Sequence, residues 1–105
     1  TPYFLNTSPA FKAALSVYNF GNRSLTDLDK VIQTAGINDA MSLWYLLKGA
    51  PPEGMEAVYN KLAELVPPPA GVTLDGIKNG DNNMLFMWWE RLGCGSKSLW
   101  DSAKE

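Results

Sequence analysis

Residues 84–92 read MLFMWWERL, and Gly93 follows. The fold turns on the period of that run. At 100° per residue, Met84, Leu85, Trp88, Trp89 and Leu92 share one broad arc. Trp89 lies at the edge of the arc, with an indole N–H that needs an acceptor. Phe86 falls nearly opposite the centre of the arc, beside Glu90, and Met87 sits at its margin near Arg91. The run is therefore read as a helix, capped by Asp81 and closed by Gly93, with two apolar residues on its charged side.

The same punctuation recurs upstream. Ser8-Pro9 is a cap followed by proline in the first turn, opening AFKAALSVYNF, which Gly21 ends. Ser24 caps a second helix whose Leu25, Leu28, Val31, Ile32 and Ala35 share a face, with Gly36 as its C′ glycine. Asn38 caps DAMSLWYLLK, which stops at Gly49. Pro51-Pro52 opens EGMEAVYNKLAELV, where Met55, Val58, Tyr59, Leu62, Leu65 and Val66 make one stripe. Pro67-Pro68-Pro69 is a hard stop, read as a short polyproline II spacer. Thr73 caps a short helical turn, LDGIKN. No segment alternates with period two over a useful length, and no hairpin dipeptide separates β-branched runs. The expected fold is all-α: a small irregular, orthogonal bundle of about five helices plus a short helix. Residues 1–105 are expected to form a single domain, with 93–105 a partly flexible tail that turns around Leu99 and Trp100.

LWYLLKG (43–49) echoes MWWERLG (87–93), apolar, Trp, aromatic, then glycine. Two copies fall short of the three or more that helical arrays usually need, so a structural repeat is not the favoured reading.

Composition narrows the function classes. The chain has 105 residues, 46% apolar and 19% charged, and a net charge of −2. This is the profile of a chain that can bury its own core. Its nine basic residues are scattered, which argues against a nucleic-acid partner. The longest apolar run is far short of the roughly 20 residues a bilayer span needs, so no membrane insertion is expected. The first residue is Thr1 rather than Met, which suggests a processed product or an excised domain. The chain contains no histidine, which removes His-based acid–base catalysis, Ser-His-Asp and Cys-His mechanisms, and histidine metal ligation. Its one cysteine, Cys94, cannot form an internal disulfide or build a zinc site alone.

Other chemistry reads better as capping and turns. The close carboxylate pairs Asp27/Asp29, Glu53/Glu56 and Asp75/Asp81 mostly occupy caps or first turns, where the helix dipole favours negative charge. Residues 93–98, GCGSKS, lack the GxxxxGK[ST] spacing of a phosphate loop and follow a helix instead of a strand. DGIKNGDNN lacks the alternating ligands and terminal Glu of a calcium loop. The sequons at Asn6 and Asn22 overlap helix caps. No catalytic residue, metal or cofactor is therefore expected, and the chain is read as no enzyme.

The helix beginning near Asn38 repeats the anomaly of the opening stretch. Ala40, Leu43, Trp44, Leu46 and Leu47 form its apolar arc, while Met41 and Tyr45 lie on the other side with Lys48. Central helices touched on several sides would explain this, and so would an exposed patch for a partner. The candidate contact residues are Met41, Tyr45, Phe86, Met87 and Trp89. Trp44, Leu85, Trp88 and Leu92 are the expected core.

The segment 43–93 resembles a helical stretch of uncharacterised bacterial proteins, some of them envelope-associated. The features that carry it are Leu43-Trp44, the Pro-Pro-Pro-Ala-Gly-Val-Thr of 67–73, and Trp88-Trp89. It covers about half of the chain and implies a bacterial accessory domain, with no site attached. The expected function is a protein–protein interaction or accessory role, the partner being another protein, the rest of its own chain or a second copy. The alternative is a small-molecule carrier or sensor with an aromatic-lined pocket between the Asn38 and Asp81 helices.

Overall fold

A computed structural model describes residues 8–92, and within them it is all-α. The helices are α1 (Pro9–Phe20), α2 (Leu25–Thr34), α3 (Ala40–Gly49), α4 (Pro52–Leu65), α5 (Leu74–Lys78) and α6 (Asn82–Arg91), with a 3-10 turn over Ile37–Asp39 before α3. This is the expected set: five longer helices and one short one. The expectations for Gly93, Cys94 and the tail lie outside the described residues, as does the Asn6 sequon.

The starts follow the capping chemistry of the sequence. Ser8 Oγ accepts from Phe11 N at 3.3 Å, Ser24 Oγ from Asp27 N at 3.1 Å and Thr73 Oγ1 from Gly76 N at 3.1 Å. Asp81 Oδ1 accepts from both Asn83 N (2.9 Å) and Met84 N (3.2 Å). Each bond gives a partner to an amide that the helix itself leaves without one.

The junction between α2 and α3 departs from the expectation. Gly36 does not close α2 in a left-handed conformation; its φ is −121° and Ala35 ends the helix in extended backbone. Asn38 does not cap α3 either, because it lies inside the 3-10 turn. The cause is Asp39, which is 1% exposed. Its carboxylate turns away from α3 and accepts from Gly36 N at 2.8 Å, Ser8 N at 2.8 Å and Ser8 Oγ at 3.2 Å. One buried side chain thus ties the start of α1 to the entry of α3. A buried carboxylate is tolerated only when its oxygens are satisfied in this way.

The core is a single cluster drawn from every helix. Trp44, Trp88, Trp89, Phe11, Leu43, Leu47, Leu62 and Leu92 are fully buried. Helix α4 turns Val58, Leu62 and Val66 inward, and Met55, Tyr59 and Leu65 lie at the edge of the cluster. Two indoles pin the packing. Trp44 Nε1 donates to Leu85 O at 3.0 Å, joining α3 to α6, and Trp88 Nε1 donates to Val66 O at 3.0 Å, joining α6 to the end of α4. Val66 is the C-cap residue of α4 and Pro67 follows it, so its carbonyl is one the helix leaves without a partner. Helices α2 and α4 approach closely at Gly54, where a Cβ would lie 2.5 Å from Leu28 Cδ2.

Candidate protein-interaction site

The five candidate contact residues separate in the fold. Trp89 is fully buried and Met41 is 3% exposed, so neither presents a surface. Phe86 is partly buried against the core. Tyr45 and Met87 remain open, at 40% and 38%. The correction for Met41 and Trp89 has a common cause. Helix α3 packs against both α4 and α6, and α6 against both α3 and α5, so side chains off the main arc still meet a neighbour. Trp89 is drawn into a ring cluster, 4.5 Å from Trp44 and 5.5 Å, edge-on, from Tyr45. Its indole N–H, expected to find an acceptor, is buried without one among the described residues. The expected core residues Trp44, Leu85, Trp88 and Leu92 are all buried.

Tyr45 marks a feature that sequence reasoning did not find. A groove of about 290 Å³, open to solvent, runs between α1 and α3. Helix α3 lines it with Ser42, Tyr45, Leu46 and Gly49, the i, i+3, i+4, i+7 set of one face. Helix α1 supplies Leu15, Tyr18 and Asn19, and Arg23 follows from the loop. Leu15, Leu46 and the two tyrosine rings make an apolar interior. Asn19, Ser42 and Arg23 are its polar elements. Gly49 leaves it room, since a Cβ there would meet nothing within 4 Å.

Arg23 adopts φ +50°, a left-handed conformation that residues other than glycine seldom take. It is exposed and forms no ion pair among the described residues. The groove therefore combines aromatic and aliphatic walls with one exposed cation. A signal for it existed in the sequence: the second apolar face of α3. The pairing of that face with α1 was not legible.

The carboxylate pairs behave as capping groups where they bear on a helix start. Asp27, Glu53 and Asp75 fall in first turns, and Asp81 is an N-cap. Among the described residues no group of three or more His, Cys, Asp or Glu is placed to hold a metal ion. None of their helices is long and apolar enough to cross a membrane. What the groove can do chemically is bind: cover apolar surface, donate hydrogen bonds and neutralise one negative charge. No protein-family model, curated protein or solved structure matches the chain.

Proposed function

We propose that this chain is a non-enzymatic, helical protein-recognition domain. Its groove between α1 and α3 takes an apolar side chain of a partner polypeptide that carries an acidic group next to it. The observation that carries the reading is the open groove with Tyr18, Tyr45, Leu15 and Leu46 inside it and, in its lining, Arg23, which forms no ion pair among the described residues. Aromatic residues and arginine are the types enriched where proteins recognise one another. The resemblance of 43–93 to a bacterial helical segment supports an accessory role within a larger bacterial protein or assembly.

Ligand pockets that enclose a metabolite usually run about 300–1,000 Å³ and bury most of its surface. This groove, about 290 Å³, lies at the lower edge of that range and is open to solvent, so it would leave much of a metabolite uncovered. The carrier reading needs a cavity between α3 and α6, and there the Trp44 and Trp89 rings lie against each other, their centroids 4.5 Å apart.

The test is amide chemical-shift titration with the blocked dipeptide N-acetyl-Leu-Asp-amide, against N-acetyl-Leu-Lys-amide as control. Saturable shifts confined to Tyr18, Arg23, Tyr45 and Gly49, stronger for the Asp peptide, support the reading. Gly49→Leu, whose Cβ would meet nothing within 4 Å, should obstruct the groove and abolish them. Absence of saturable shifts, or an equal response to the Lys peptide, contradicts it.

A further inference from the structure

Helix α1 carries a second apolar stripe on its outside. Phe11, Ala14, Leu15 and Tyr18 face the core. Ala10, Ala13, Val17 and Phe20 occupy the opposite side, and all four are exposed. Val17 is 58% and Phe20 89% exposed. Their 3-4-3 spacing is that of the a and d positions of a heptad. The water-facing side of a surface helix normally carries charge. Here Lys12 is the only charged residue of α1, and it sits between the two stripes. The outer stripe also lies apart from the groove, which uses the Leu15–Tyr18–Asn19 side of the helix.

We infer that this outer face of α1 pairs with the α1 of a second copy, antiparallel, about a twofold axis near Leu15. The stripe is graded, small at its start and large at its end. Reversing one copy sets Phe20 opposite Ala10 and Val17 opposite Ala13, so each large side chain meets a small one. A parallel pair would stack Phe20 on Phe20 and face Ala10 with Ala10, crowding one end and leaving the other empty. A twofold contact requires self-complementarity of this kind. With no charge on the stripe, the two copies bring no like charges into register.

The area sets the strength. The 12 residues of α1 extend about 18 Å at 1.5 Å per residue. One helix pair of that length buries less than the roughly 1,200–2,000 Å² of a stable interface. The association is therefore weak, with a dissociation constant on the order of 0.1–1 mM.

Sedimentation equilibrium of the full chain tests this. From about 10 µM to about 2 mM, the apparent mass should rise from monomer towards dimer. Phe20→Lys should stay monomeric throughout while keeping the unfolding midpoint of the parent. Ala10→Lys and Phe20→Glu should each be monomeric alone and associate on mixing, because only the antiparallel register sets position 10 against position 20. A parent chain monomeric at the highest concentration overturns the inference. So does a Phe20→Lys chain that still dimerises, or a mixture that stays monomeric. The groove reading is untouched by any of these outcomes.

Discussion

Replacing Asp39 by alanine should cost about 3 kcal/mol at neutral pH, far more than a typical loop substitution. Three hydrogen bonds converge on its carboxylate, from Ser8 N, Ser8 Oγ and Gly36 N. Bonds to a charged group contribute about 1.5–3 kcal/mol each, so simple addition would give roughly 4.5–9. Two effects reduce that. The cost of burying the carboxylate disappears with it. Ser8 and Gly36 are only partly buried, so water can take over some of the lost bonding. At about 4–8 °C per kcal/mol for a domain of about 100 residues, the unfolding midpoint should fall by about 12–24 °C. Asp39→Asn should cost about 2 kcal/mol, because its amide must point an N–H at either the Ser8 or the Gly36 amide. A double-mutant cycle with Ser8→Ala should return a coupling of about 1 kcal/mol. The assay is urea and thermal unfolding followed by tryptophan emission. If Asp39→Ala lost less than about 1 kcal/mol, or Asp39→Asn matched the parent, the buried tie would be an incidental contact and the reasoning would fail.

Four other outcomes can be checked in the same way. Gly54→Ala should destabilise by about 1–3 kcal/mol despite alanine's better helix propensity, because its methyl would strike Leu28 across the α2–α4 contact. Gly76→Ala should cost less, within about 1 kcal/mol, since its methyl would meet the flexible end of Met84 and, at 3.3 Å, Thr73 Oγ1; a cost as large as that of Gly54→Ala would refute the distinction. Trp89→Phe should cost about 1–2 kcal/mol less than Trp44→Phe or Trp88→Phe, because its N–H has no acceptor among the described residues while theirs bond Leu85 O and Val66 O; equal losses would argue against that assignment. In the Trp100→Phe variant, which leaves Trp44, Trp88 and Trp89 as reporters, emission should be blue-shifted and nearly immune to acrylamide, and ready quenching would contradict their burial.

Reading MLFMWWERL as one helix identified Leu85, Trp88 and Leu92 as inward, because a single helix has a fixed angular order and the charged residues mark its outer side. It left open whether Phe86, Met87, Met41 and Tyr45 were exposed, and it counted Trp89, at the edge of the arc, among the contact residues although the fold buries it. That depends on how many neighbours surround α3 and α6, a property no single helix carries. The outcome is mixed: Met41 is enclosed, Phe86 partly so, and Tyr45 and Met87 open. The groove beside Tyr45 needed the approach of α1 to α3, which is a long-range fact.

Helix α1 shows the division most plainly. Its sequence contains two apolar stripes, Phe11-Ala14-Leu15-Tyr18 and Ala10-Ala13-Val17-Phe20, and period alone ranks neither above the other. Packing against α2 and the Ser8–Asp39 bonds orient the helix with the first stripe inward. The sequence by itself determined the helices and most of their caps and stops, because those rest on contacts within a few residues; the α2–α3 junction is the exception, since Asp39 there bonds to Ser8 from a distant part of the chain. Only the tertiary structure decided which stripe of α1 meets water, where Asp39 sends its carboxylate, and which aromatic residues stay at the surface. Each of those depends on groups brought together from distant parts of the chain.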